Sequence, residues 1–137
     1  MFNDFLKNGK VRKGQPDIAL AKSLIAMSTR TLRYAQESNL TEENASPVLV
    51  NYYESLRQIC EAICAKNGYK VYSHEAFTVY LNEILREERT AENFDRLRKL
   101  RNGVNYYGES VSLSETQASA KKVVELIAHL QKYLEEL

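Results

Sequence analysis

The stretch from Ser46 to Asn67, SPVLVNYYESLRQICEAICAKN, carries the longest apolar stripe of the sequence. Its apolar residues recur every three or four positions, and this spacing predicts one buried face of an α-helix. They are Leu49, Tyr52, Tyr53, Leu56, Ile59, Cys60 and Ile63. Ser46-Pro47 is typical of a helix start, and Asn67-Gly68 suits a left-handed helix end. The stretch therefore predicts the central helix of the fold.

Helical spacing continues on both sides of this central helix. It predicts a helix over 16–37 before it, a shorter helix after Ser73, a fourth over 91–107, and a fifth from Ser112 to the C-terminus. The connector 69–72 is β-prone, but no second strand pattern is available to pair with it, so we interpret it as a connection. Short connections favour antiparallel neighbours. The predicted fold is all-α, an antiparallel up-and-down bundle of four main helices plus one shorter helix.

Length and composition indicate one packed globular domain. The chain has 137 residues, of which 44% are hydrophobic and 27% charged, and its formal charge is +1. No global charge excess indicates nucleic-acid or membrane binding, so any charge-based function must be local. Residues 1–15 hold four Lys or Arg against Asp4 alone, together with Gly9 and Gly14. They predict a basic, flexible N-terminal arm in front of a single helical domain over 16–137.

The sequence also predicts where the protein resides. No apolar run approaches the roughly 18 residues that span a bilayer, and the first residues lack the apolar core of a signal peptide. Cys60 and Cys64 lie on or beside the apolar face of one helix, where free cysteine packs as a small hydrophobe. These features predict a cytoplasmic chain that makes no membrane contact.

Most enzyme signatures are absent from the sequence. There is no Gly-rich phosphate loop, no G-x-S-x-G, no H-E-x-x-H and no paired C-x-x-C, so we expect no cofactor and no metal. Two histidines occur. We interpret His74 as a first-turn side chain sharing hydrogen bonds at a helix start, and His129 as a half-buried neighbour of the last apolar face.

The segment 96–108, RLRKLRNGVNYYG, is the exception. The apolar stripe of its helix is predicted to be Phe94, Leu97, Leu100, Val104 and Tyr107. Four polar side chains fall in an adjoining arc of about 100°. They are Arg98, Arg101, Asn102 and Asn105. Guanidinium forks match phosphate oxygens, so this surface could hold a phosphodiester.

A structural interpretation of the same segment stays open. Arginines beside an apolar stripe often cover it with their methylene groups and pair with nearby acids. Gly103 favours the functional interpretation, because a glycine inside a helix costs about 1 kcal/mol relative to alanine and indicates a kink or a close approach.

With these residues in view, the chain resembles the HEPN domain family of small all-helical prokaryotic proteins. The resembling stretches are 52–57 of the central helix, the connector 68–76, and Arg101-Asn102, which opens the family's Arg-x4-6-His motif. The resemblance implies a bundle that dimerises with its motif helices facing each other across a cleft. Active members are metal-independent ribonucleases, often toxins paired with an MNT-type nucleotidyltransferase.

Carried over residue by residue, Arg101 matches the motif arginine and Asn102 the polar residue that follows it. Tyr106 stands where the histidine is expected. An ordinary tyrosine, with a pKa of about 10, is a poor proton acceptor at pH 7. The resemblance therefore predicts that ribonuclease activity is lost in this chain.

Three functions follow from this comparison of residues. The first is a homodimeric module that binds RNA or nucleotide phosphate, or that acts as partner of an MNT-type nucleotidyltransferase. Its predicted phosphate-binding residues are Arg98, Arg101, Asn102, Asn105 and Tyr107. The alternatives are a metal-independent endoribonuclease that uses Arg101 and Tyr106, and a purely structural interaction bundle.

Overall fold

The computed structural model describes residues 1–137. Its six helices are, in chain order, α1 (Phe2–Asn8), α2 (Ile18–Glu37), α3 (Ala45–Lys66), α4 (His74–Val79), α5 (Glu88–Tyr107) and α6 (Leu113–Leu130). Two short strands are β1 (Val11–Lys13) and β2 (Tyr69–Val71), a π-helical turn (Tyr80–Ile84) follows α4, and a 3-10 turn (Gln131–Tyr133) follows α6. Helical segments cover 74% of the chain, which confirms the mainly all-α class, with one helix more than predicted.

Helix α3 lies at the centre of the molecule, as its apolar stripe predicts. It packs against α2, α4, α5 and α6. Tyr53, Leu56 and Ile63 have no exposed surface, and 14 of its 22 residues are buried. Cys60 and Cys64 are buried free thiols, and burial raises the pKa of Cys60 to about 12. These two cysteines pack in the core, as predicted from the sequence.

The predicted start of the last helix at Ser112 is confirmed, whereas α2 begins at Ile18, two residues later than predicted, with Asp17 as its cap. The Asp17 carboxylate accepts the N–H of Leu20, and the Ser112 hydroxyl accepts the N–H of Glu115. The predicted cap of α3 is wrong, because α3 begins at Ala45 and Ser46 lies inside its first turn. The Ser46 hydroxyl instead accepts the N–H of Val111, at 2.8 Å, and so fixes the loop between α5 and α6.

The first fifteen residues correct the prediction of a flexible arm. Phe2 and Phe5 lie on one face of α1, and both are buried. The ring of Phe2 packs against those of Tyr69 and Tyr80, with centroids 5.4 Å and 5.6 Å apart. The prediction was based on the charges and glycines of this segment. It did not consider Phe2 and Phe5, which anchor the segment to the core.

The prediction of no sheet is also corrected. Strand β1 pairs antiparallel with β2, with Val11 opposite Val71, Arg12 opposite Lys70 and Lys13 opposite Tyr69. Val11 is buried. The connector 69–72 does find a partner strand, and that strand lies in the segment interpreted as the arm. A pairing between segments so far apart leaves no local signal in the sequence.

The core stripe of α5 stops short of the helix end. Phe94 and Leu97 are fully buried, but Leu100 and Val104 are only half-buried and Tyr107 is 76% exposed. The last helix likewise ends at Leu130 rather than continuing to the C-terminus. The final turns of α5 therefore lie at the surface and present Arg101 and its neighbours to solvent. None of the six helices combines the length and apolar character needed to cross a membrane.

Candidate functional site

An open pocket of about 430 Å³ lies where the start of α4 meets the last turns of α5. We call it the Arg101 pocket. Four residues singled out from the sequence line it, namely Arg98, Arg101, Asn102 and Tyr106, together with His74 and Glu75. Asn105 and Tyr107 do not line it and lie exposed on α5 beyond it. The structure thus brings together most of the predicted site and adds a histidine to it.

The guanidinium of Arg101 has no acidic partner. Its Nη1 donates to Oδ1 of Asn102 and to the hydroxyl of Tyr106, each at 3.2 Å. The group also lies over two aromatic rings, 5.7 Å from the centroid of Tyr53 and 5.4 Å from that of Tyr106. These neutral neighbours orient the guanidinium without cancelling its charge. Arg101 therefore offers a positioned and uncompensated positive charge to the pocket.

Arg98 differs, because an acid already holds it. Its Nε and Nη2 donate to Oδ1 of Asp95 at 2.9 Å and 2.8 Å. Lys99 and Thr78 contact the same carboxylate, at 3.1 Å each. For Arg98 the structural interpretation, an arginine that pairs with a nearby acid, is confirmed. It lines the pocket as a cation already matched by Asp95.

His74 is the residue that the sequence did not assign to the site. It is the first residue of α4, but its Nδ1 bonds to the hydroxyl of Tyr53 in α3 at 2.9 Å, and the two rings stack 5.8 Å apart. The expected sharing of hydrogen bonds at the helix start is wrong. His129, the other histidine, is exposed and bonds to Glu87 at 2.8 Å. No local pattern could reveal His74, because its partners belong to other helices.

The surroundings of His74 keep its ring neutral. Burial, followed by the positive charges of Arg101 and Arg57, lowers the pKa of His74 to about 4. The Tyr53 hydroxyl and Nδ1 of His74 share one hydrogen bond at 2.9 Å, which holds the imidazole in place in either neutral tautomer. At pH 7 the pocket therefore holds a neutral imidazole beside a permanent cation.

Three further acids complete the electrostatics of this region. Glu54 and Glu61 pair with Arg57, at 2.6 Å and 3.2 Å, and so compensate the positive charge of the Arg57 guanidinium near His74. Glu75 is exposed and is the one acidic side chain that lines the pocket. An anion in the pocket would meet Arg101 as its main attraction and Glu75 as a weaker repulsion.

The close approach predicted at Gly103 is confirmed. A Cβ atom at this position would lie against the carboxylate of Glu109, with Cδ at 3.2 Å, and the Gly103 carbonyl accepts the N–H of Glu109 at 3.0 Å. Gly108 ends α5 with φ at 64°, a left-handed conformation that glycine adopts without strain. Together these contacts end α5 directly after Tyr107.

The chain contains no group of three or more His, Cys, Asp or Glu side chains placed to hold a metal ion. Comparison with protein-family models, curated proteins and solved structures finds no match to this chain. The chemistry of the pocket therefore follows from its own residues.

We expect the neutral state of His74 to make the protein less stable in mild acid. Between pH 6.5 and pH 4 the unfolded chain binds a proton at His74 that the folded chain does not, so the free energy of unfolding should fall as the pH falls through this window. His74→Gln removes the titrating group. Urea unfolding at pH 7, 5.5 and 4.5 should show a smaller decrease for His74→Gln than for the wild type, and equal decreases would contradict the assignment.

Proposed function

We propose that this chain is a HEPN-like helical module that binds phosphate groups of RNA or a nucleotide through Arg101. One observation carries the proposal, namely that the Arg101 guanidinium lines an open pocket without an acidic partner. A planar, always-charged guanidinium with free donors is the side chain best suited to grip phosphate oxygens. In this proposal the four longest helices form the antiparallel bundle that the short connections predict.

The other residues of the pocket take supporting roles. Asn102 and Tyr106 hold one edge of the Arg101 guanidinium and leave its remaining N–H groups for a ligand. Arg98 adds a partly compensated charge. Asn105 and Tyr107 lie outside the pocket, so they would contact a ligand only if it extended beyond one phosphate. Because Glu75 faces the same space, we expect weak binding of short ligands.

Removal of the Arg101 charge tests this proposal. We expect Arg101→Gln to weaken binding of a fluorescently labelled dinucleotide, pUpU, by at least about tenfold, since charge-assisted hydrogen bonds contribute roughly 1.5–3 kcal/mol. Arg96→Gln is the matched control, because Arg96 is exposed on the same helix and makes no ion pair. Fluorescence anisotropy measures both. Equal affinities for Arg101→Gln and Arg96→Gln would contradict the proposal.

A second candidate function is metal-independent RNA cleavage, and the position of His74 favours it. In such a reaction the 2′-hydroxyl attacks the adjacent phosphorus, an imidazole accepts its proton, and the leaving 5′-oxygen takes up a proton. Tyr106 serves this chemistry poorly, whereas His74 lines the same pocket as Arg101. A bound phosphate would also raise the pKa of His74, because its negative charge opposes the effect of Arg101.

A cleavage assay in EDTA separates the two functions. We expect no cleavage of a labelled twelve-nucleotide RNA by the wild type, because His74 with a pKa of about 4 is a weak base. We expect weak cleavage by Tyr106→His, which places an ordinary imidazole beside Arg101, and none by Tyr106→His/Arg101→Ala. Cleavage by the wild type that disappears in His74→Ala would establish the nuclease function instead.

The proposal includes a homodimer in which the two Arg101 pockets face each other. Tyr107 is 76% exposed at the end of α5 and lies outside the pocket, and exposed aromatic side chains are typical of protein interfaces. A two-fold contact through this surface would bring both copies of Arg101 to one cleft. An MNT-type nucleotidyltransferase partner remains a proposal that rests on the resemblance alone.

Light scattering with two tyrosine variants tests the dimer. At tens of micromolar we expect about twice the 15.8 kDa mass of the chain for the wild type and a shift toward the monomer for Tyr107→Glu. Tyr34→Glu is the matched control, because Tyr34 is 68% exposed on α2 and should leave the dimer intact. A monomeric wild type would contradict this part of the proposal.

A further inference from the structure

The β1–β2 sheet turns one face to solvent, and this face is basic. Residues directly opposite in an antiparallel pair lie on the same side of the sheet, and sides alternate along each strand. Val11, opposite Val71, is buried, so Arg12 and Lys70 lie on the outer side. The Tyr72 N–H donates to the Lys10 carbonyl at 2.8 Å and extends the pairing by one residue. We call Lys10, Arg12, Lys70 and Tyr72 the basic sheet face.

The charges of this face are not neutralised within the chain. Arg12 and Lys70 lie directly opposite each other, and like charges in that position destabilise a strand pair. None of Lys10, Arg12 and Lys70 takes part in an ion pair, although the chain as a whole carries almost equal numbers of acids and bases. The face is therefore a local concentration of positive charge that folding itself does not require.

The basic sheet face is continuous with a second pocket of about 200 Å³. Arg12 and Lys70 line this pocket, and so does Lys13, whose ammonium lies 4.0 Å from the ring centroid of Tyr69. The acid that lines it, Asp17, uses its carboxylate to cap the N-terminus of α2. Positive charge thus dominates this end of the sheet as well.

Tyr72 joins the basic sheet face to the Arg101 pocket. The Arg12 guanidinium lies 5.7 Å from the centroid of the Tyr72 ring, and the same tyrosine lines the Arg101 pocket. Tyr72 is 56% exposed, and Tyr106, across the pocket, is 66% exposed. Two accessible aromatic rings therefore alternate with cations along one continuous surface, from Arg101 through Tyr72 to Arg12 and Lys70.

We infer that this surface is a binding track for a single-stranded polynucleotide, which runs from the Arg101 pocket across the basic sheet face. Spaced cations match the repeating phosphates of a polynucleotide, and exposed rings stack on bases that are not paired. A duplex keeps its base faces covered, so it cannot use Tyr72 and Tyr106 in this way. The inference rests on the proposed phosphate site and extends it from one phosphate to a chain of nucleotides.

Arg12→Gln/Lys70→Gln tests the track without touching the Arg101 pocket. The matched control is Arg33→Gln/Lys121→Gln, which removes the same charge from exposed positions outside both pockets. Labelled U12, dT12, a twelve-base-pair RNA duplex and pUpU are titrated by fluorescence anisotropy at several salt concentrations. Removing the like-charged pair should leave the thermal stability at least equal to that of the wild type, so a loss of binding is not a loss of folding.

We expect Arg12→Gln/Lys70→Gln, the sheet variant, to bind U12 about tenfold more weakly than the control. The slope of log K against log salt should be smaller by about 1.4, because two phosphate contacts are lost. Binding of pUpU should be equal in both variants. Tyr72→Leu should also weaken U12 binding. A dT12 affinity equal to that of U12 identifies the ligand as any single strand, and a weaker one identifies it as RNA; both support the track.

Three results would overturn the inference. They are equal U12 affinity in the sheet variant and the control, duplex binding as tight as U12 binding, and U12 binding that is insensitive to Tyr72→Leu and matched by a poly-glutamate peptide. If pUpU binding depends on Arg101 while U12 affinity is unchanged in the sheet variant, the binding track is contradicted and the proposed function stands. If pUpU binding ignores Arg101, the proposed function itself fails.

Discussion

The hydroxyl of Tyr53 lies 2.9 Å from Nδ1 of His74, at the end of a side chain that is completely buried. The same ring packs against Phe94 of α5, with centroids 5.5 Å apart, and supports the guanidinium of Arg101. One residue of the central helix therefore fixes α4, α5 and the candidate site to each other. Because its ring belongs to the core, the positions of His74 and Arg101 are set by the same packing that stabilises the fold.

The site is formed by charge that the fold leaves uncompensated. Arg57 and Arg98 are held by acids within one helical turn, whereas Arg101, Arg12 and Lys70 have none. Burial and then the charge of Arg101 lower the pKa of the His74 imidazole, and the strand pair places two cations face to face. Two cations face to face weaken the strand pair, and the lowered pKa of His74 costs the folded protein stability only in acid. A bound polyanion would relieve both, which is why we interpret them as a binding surface rather than as a solvated exterior.

The sequence predicted what local patterns control. Helical spacing placed α2, α3, α5 and α6, and capping chemistry placed Ser112 at the start of α6. The arc of polar residues on α5 led directly to Arg101. The sheet was not predicted, because strand pairing joins segments that are distant in sequence. The place of His74 in the site was not predicted for the same reason, since its role comes from Tyr53 and Arg101 on neighbouring helices. The resemblance pointed to the histidine position on α5 and assigned no role to His74 of α4.

The most direct measurement of the central claim is an NMR titration with inorganic phosphate that follows the Nε–Hε signals of the arginine side chains. A free guanidinium responds to a bound anion, while one already held by carboxylates does not. We predict that the Arg101 signal shifts with saturation, that the Arg57 signal stays fixed because Glu54 and Glu61 hold its guanidinium, and that the imidazole signals of His74 shift together with Arg101. An unchanged Arg101 signal, or equal shifts at exposed arginines such as Arg96, would contradict the account.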